Sequence, residues 1–147
     1  MHRTISFYKP IPDNVFMNTL KNTGAEQFLY ETQGWGRALD FYKQENAFLK
    51  TRLSQVVDHN SDKSFVAAAE NFHNKFIILD EYIADLSRDV RLQLDIIKQA
   101  LNGDPEKDKV MQLRQKKLRG ETERFEQEMC SVKTDFNKRL VVYYETN

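Results

Sequence analysis

Asn102-Gly103-Asp104-Pro105-Glu106 is the stretch whose reading decides the fold. A helix that ends cleanly wants a residue able to adopt a left-handed backbone, and Gly103 does so without a Cβ clash. A helix that begins wants a side-chain acceptor for its first N–H groups, then a residue that does not miss its own N–H. Asp104 and Pro105 meet those two needs in order. These five residues predict the end of one helix and the start of another with almost no loop between them, which makes the two antiparallel neighbours.

Outward from this turn the apolar residues alternate steps of four and three. Downstream the series is Leu118, Thr122, Phe125, Met129, Val132, Phe136, then Leu140 and Tyr143. Upstream it is Phe65, Ala69, Phe72, Phe76, Leu79, Ile83, Leu86 and Val90, followed by Leu94, Ile97 and Leu101. A second cluster of turn and cap residues, Asp58-His59-Asn60-Ser61-Asp62, precedes that series. Beyond it Trp35, Leu39, Tyr42, Asn46, Leu49, Leu53 and Val56 repeat the spacing, extended by Phe28 and Thr32. A four-three repeat held this long indicates helices packed in a left-handed, coiled-coil-like way. Ala38, Phe41 and Phe48 lie on a shoulder of the first stripe, which reads as the wide apolar face of a helix touching two partners. The expected fold is all-α, an elongated antiparallel three-helix bundle forming one domain over 1–147, with long helices over 31–59, 62–102 and 105–145.

Residues 1–30 are harder to place. Pro10 and Pro12 break any helix there, yet Ile5, Phe7, Tyr8, Ile11, Val15, Phe16, Met17 and Leu20 are too apolar for a solvated tail. The expectation is an irregular segment packed along the rod or at a subunit contact, with a short helix from Asp13 to Asn22. Gly24, Gly34 and Gly36 leave the start of the first long helix open between Ala25 and Trp35.

Composition narrows the function classes. Lys plus Arg and Asp plus Glu both number 22 among 147 residues. The three thirds of the chain are each nearly neutral as well, so no broad positive field exists to draw nucleic acid or an anionic membrane surface. The basic run Arg114-Gln115-Lys116-Lys117-Leu118-Arg119 is followed by Glu121, Glu123, Glu126 and Glu128, the pattern of a solvated helix face with charges of both signs. No apolar run approaches the roughly 20 residues of a membrane-spanning helix. The N-terminus lacks the apolar core of a signal peptide, and the single Cys130 leaves no intrachain disulfide, so a cytoplasmic location is expected. Cys130 lies close to Glu126 and Glu128, poor surroundings for a reactive thiolate.

Residues that break the apolar pattern are the places to look for a site. Asn46 takes a core position, and Glu45 falls between Phe41 and Phe48. Folding the second helix back brings His73 to the flank of the same level, and the third helix brings Lys133. A layer of Glu45, Asn46, His73 and Lys133 reads first as a hydrogen-bonded network that sets helix register. Its alternative is a site, because carboxylates among aromatic rings recur where chemistry occurs. Glu70-Asn71-Phe72-His73 has the Glu-x-x-His spacing of four-helix di-iron proteins, but those need two such motifs and two further glutamates. Glu45, Glu70 and His73 are accordingly the metal candidates, with no metal or cofactor assigned. On the face of the second helix opposite its main stripe, Ile78, Tyr82, Leu92 and Ile96 form an outward strip with Asp85 and Asp89 between them. The N-terminal segment, a second copy, or another protein would cover it.

The run Trp35-x-x-x-Leu39-x-Phe41-Tyr42-Lys43-x-Glu45, with Leu53, Val56-Val57, Asn60, Asp62-Lys63 and Glu70-x-Phe72-x-Asn74-x-Phe76-Ile77-Ile78, resembles uncharacterised long-helix bundle proteins of bacteria, mostly of the Bacteroidota. The resemblance covers residues 35–78. It implies a helical cytoplasmic protein without an assigned activity and supplies no catalytic residue. Taken together, the sequence points to a non-enzymatic interaction or scaffold module, with a protein partner or self-association and neither nucleic acid nor membrane. The alternative is a metal- or ligand-binding bundle built on a polar core layer.

Overall fold

A computed structural model describes the backbone over residues 13–59 and 62–146, and side chains over 24–59 and 62–144. Three helices account for it: α1 Asp13–Asp58, α2 Lys63–Leu101 and α3 Pro105–Thr146. At 1.5 Å per residue the 46-residue α1 is about 70 Å long. All three pack on one another in an all-α bundle, with α2 lying along both α1 and α3, while the α1 and α3 backbones come close at few places.

Both turns follow from their residues. Gly103 has φ 94°, the left-handed backbone expected of it, and its N–H donates to the Ala100 carbonyl at 3.0 Å. The Asp104 carboxylate then accepts from the N–H groups of Glu106 at 3.1 Å and Lys107 at 3.3 Å. Asp62 caps α2 in the same way, accepting from Phe65 N–H at 3.2 Å. Asn60 and Ser61 of that first turn lie outside the described residues, as do 1–12 and the expected packing of Ile5, Phe7, Tyr8 and Ile11.

α1 corrects one expectation. No separate short helix ends at Asn22; one continuous helix starts at Asp13 and passes through Gly24, Gly34 and Gly36. A helical glycine costs only about 1 kcal/mol relative to alanine, and the segment gains burial in return. Ala25 is 3% exposed and Thr32 fully buried, and an added Cβ at Gly36 would lie 3.7 Å from the Val90 side chain.

The buried residues keep the four-three spacing along each helix. On α2 the spacing runs through Ala69, Phe72, Phe76, Leu79, Ile83, Leu86, Val90, Gln93 and Ile97, with Ile96 buried beside it. The repeat thus continues through Gln93, where the apolar pattern pointed to Leu94, which is only half-buried. Leu101 is half-buried too. On α3 the series begins earlier than its apolar residues suggest, at Met111 and Gln115, and runs through Leu118, Thr122, Phe125, Met129, Val132 and Phe136. The next buried residue is Leu140, a step of four after a step of four. Edge-to-face ring contacts bind the centre, with Phe136 against Phe72 at 5.3 Å and Phe76 at 5.2 Å, and Phe125 against Tyr42 at 5.5 Å and Tyr82 at 5.2 Å.

Candidate functional site

Among the described residues, two polar layers join helices within the core, while the buried Thr122 bonds only the Leu118 carbonyl of its own helix. The first is at mid-length, where Asn46 is fully buried. Its amide donates to the Phe76 carbonyl at 2.9 Å and to Asp80 Oδ1 at 2.7 Å, while the other oxygen of Asp80 pairs with Lys50. Asn46 Oδ1 has no hydrogen-bond partner. Glu45 turns to the other side of α1 and accepts from Lys133 of α3 at 2.9 Å. The expected layer therefore divides into two contacts on opposite flanks of α1, and His73 belongs to neither. Lys50 and Asp80 were not foreseen. They occupy flank positions of antiparallel helices, where opposite charges meet across a seam, and that spacing was the available signal.

The second layer lies toward the α2–α3 turn. Gln93 and Gln115 are buried, and Gln93 Nε2 donates to the Met111 carbonyl and to Gln115 Oε1, each at 2.9 Å. Thr32 donates to the same Gln115 oxygen at 3.2 Å. Gln115 Nε2 donates to Glu31 at 2.8 Å and to the Phe28 carbonyl at 3.4 Å. Arg114 closes the outside by donating to Gln93 Oε1 at 3.2 Å and to the Asp89 carbonyl at 3.4 Å. Arg119 grips Glu31 with two bonds, at 3.0 and 2.6 Å. The Arg119 hydrogen bonds hold the Glu31 carboxyl below its ordinary range, helped by Gln115 and against the opposing effect of burial. Two of the four cations of the basic run, Arg114 and Arg119, are thus engaged within the bundle, beside its buried Gln115 and Leu118.

Between the layers, Tyr42 spans from α1 to α3 and its hydroxyl donates to Glu126 at 3.1 Å. Burial first, and then the neighbouring Glu126 carboxylate, push its phenol pKa upward.

The metal candidates separate. Glu45 faces the α1–α3 seam. Glu70 and His73 are exposed and line an open groove of about 500 Å³ between α1 and α2, floored by Leu53, Val57, Val66 and Ala69. Among the described residues no group of three or more His, Cys, Asp or Glu side chains is placed to hold a metal ion. Cys130 is an exposed free thiol.

The outward strip of α2 also divides. Tyr82 and Ile96 are fourteen residues apart, so they share one heptad position, and this position faces α3. Tyr82 packs on Phe125 and its hydroxyl reaches the Glu121 carbonyl at 3.5 Å. Ile96 is only 6% exposed, clustered with Ala25, Ile97 and Met111 and flanked by Phe28 and Leu29. Its outward placement is corrected: Ala25, inside the segment proposed as a cover, shares its buried cluster, and Phe28 and Leu29 pack against that cluster. Ile78 and Leu92 share the next heptad position round the helix and stay 60% and 49% exposed. The reason is angular, since one position differs from the next by about 50° when the repeat is seven residues in two turns. Phe41 and Phe48 are corrected as well. They lie on the outer side of α1, 59% and 58% exposed, with Arg52 stacked over the Phe48 ring.

No helix among the described residues is long and apolar enough to cross a membrane. No protein-family model matches the chain, and neither does any curated protein or solved structure.

Proposed function

We propose that the protein is a non-enzymatic interaction or scaffold module that works through the outer faces of its helices. The observation that carries this reading is the contrast between a closed interior and an apolar exterior. The second polar layer is spent on internal hydrogen bonds, whereas Phe41, Phe48, Ile78 and Leu92 face solvent at about half exposure or more. Large apolar groups repeated along a helix at heptad spacing mark surfaces that other helices cover. Coiled-coil-like packing of the bundle belongs to the same reading, supported by the four-three spacing of its buried residues. A cytoplasmic setting suits it too, since an exposed free thiol at Cys130 persists best in a reducing compartment.

The test pairs stability with binding. Phe41→Ser/Phe48→Ser and Ile78→Ser/Leu92→Ser should each leave the melting temperature nearly unchanged, while at least one of them loses proteins cross-linked to the wild-type chain in cells. An identical cross-linked set for both variants and wild type would sink the reading. The alternative, a metal- or ligand-binding bundle, would have to use the α1–α2 groove, because Glu70 and His73 meet there and Glu45 does not. Loss of bound metal in elemental analysis on changing His73→Ala would support it.

A further inference from the structure

The exposed face of α2 is self-complementary, and we infer that it joins two copies of this chain in an antiparallel homodimer. Three adjacent heptad positions make up the face. The central one carries Asn74, Glu81, Arg88 and Asp95; Ile78, Asp85 and Leu92 lie on one side, and Ile77, Ala84 and Arg91 on the other. All of these are exposed, Ile78 at 60%, Leu92 at 49% and Ile77 at 38%.

A two-fold axis placed midway between Glu81 and Arg88, at right angles to α2, generates the pairing. Residues equally far above and below the axis meet across an isologous interface. Glu81 of each copy then meets Arg88 of the other, so two ion pairs form from one kind of contact. On the flank, Ile78 and Leu92 lie within one residue of equal distance from the axis, an offset of about 1.5 Å of helix rise, so Ile78 of each copy packs beside Leu92 of the other and both exposed aliphatic side chains are covered at once. Asn74 comes level with Asp95, a donor facing an acceptor. Ala84 lies nearest the axis on the remaining flank, where a small side chain lets the helices approach. The two Asp85 carboxylates also converge near the axis. Arg88, already paired with Asp85 inside its own helix, sits beside them and offsets their repulsion. A parallel arrangement lacks this match, because it sets Glu81 against Glu81 and Arg88 against Arg88. Charge order therefore selects both the occupant and its direction.

The proposal rests on the interaction reading but fails separately from it. Sedimentation velocity of the full chain, from roughly 1 to 500 µM, should show a monomer–dimer equilibrium, as expected of a modest interface. Glu81→Arg alone and Arg88→Glu alone should each weaken dimerisation by at least about tenfold, since like charges then oppose across the axis. An equimolar mixture of these two variants should dimerise again, because each supplies the sign the other lost. All four positions tested or covered are on the surface, so circular dichroism should show unchanged helices. Ile78→Asp/Leu92→Asp should abolish association. A wild type that stays monomeric throughout this range overturns the homodimer and leaves binding to other proteins standing. A dimer indifferent to the charge changes, or single variants whose mixture fails to pair, overturns the α2 face as its seat.

Discussion

The two polar layers of the core differ in completeness. At mid-length, Asn46 places an amide among Phe76 and other apolar side chains, uses its donor twice and leaves its oxygen unpaired. Toward the α2–α3 turn, Gln93 and Gln115 use both ends of both amides and recruit Thr32, Glu31, Arg114 and Arg119. A buried polar group is costly in proportion to what it leaves unmade. The first layer is therefore an isolated constraint that the surrounding aromatic packing carries. The second is a network whose members depend on one another and tie all three helices together.

The largest expected effect tests the packing that supports the first layer. Phe76→Ala removes a fully buried ring in contact with Phe72 and Phe136 and should cost about 3–5 kcal/mol in urea unfolding. A much smaller loss would mean that mid-length packing is looser than its ring contacts indicate. Next comes the network. Gln115→Ala leaves Gln93, Thr32 and Glu31 without a shared partner and should cost about 2–4 kcal/mol. Asn46→Leu should change stability by no more than about 1 kcal/mol, because it removes an unpaired oxygen along with two bonds and leaves Asp80 to Lys50. Equal costs at Asn46 and Gln115 would erase the distinction between the layers.

The smallest effect is electrostatic. Glu31 has a lowered pKa in the folded chain, so its contribution is present above its ordinary value of 4.5 and is lost as pH falls through the lower folded value. Glu31→Gln should therefore lower stability only slightly at neutral pH, since the pair is partly exposed and screened by solvent. The difference from wild type should vanish as the solution is acidified well below 4.5. Unfolding midpoints at several pH values would check this, and a difference that grows in acid contradicts the Arg119 pairing.

Most of the architecture was legible because the local signals agreed. Gly103, Asp104 and Pro105 each favoured the same turn, and α2 repeats its apolar residues over four heptads. The second layer was hidden for a specific reason. Gln93 is followed directly by Leu94, and a search for apolar residues steps onto the leucine, although keeping the repeat strictly would have stayed on the glutamine. Gln115 is likewise masked by its place in a run of basic residues, Arg114 to Arg119. Asn46 was legible because Tyr42 and Leu49 hold the four-three spacing on either side of it, a spacing that a step onto Ala47 would break. At the outer faces the difficulty was angular. Tyr82 and Ile96 differ from Ile78 and Leu92 by one heptad position, too little to separate without knowing where α3 lies. The start of α1 was obscured by its glycines, whose cost is small enough for tertiary packing to overrule.

Glu31 with Arg119 and Glu45 with Lys133 are both pairs 88 residues apart. That constancy keeps α1 and α3 in step over the two heptads between these pairs. Reach and thickness are consequently separable quantities in this molecule. Excising seven residues at matching heights from all three helices shortens the rod by about 10 Å and leaves the remaining levels in register. The same excision from one helix alone shifts every level beyond the cut. The bundle is in this sense a ruler whose length is set by counting, and selection for a different span would act on whole heptads, three at a time.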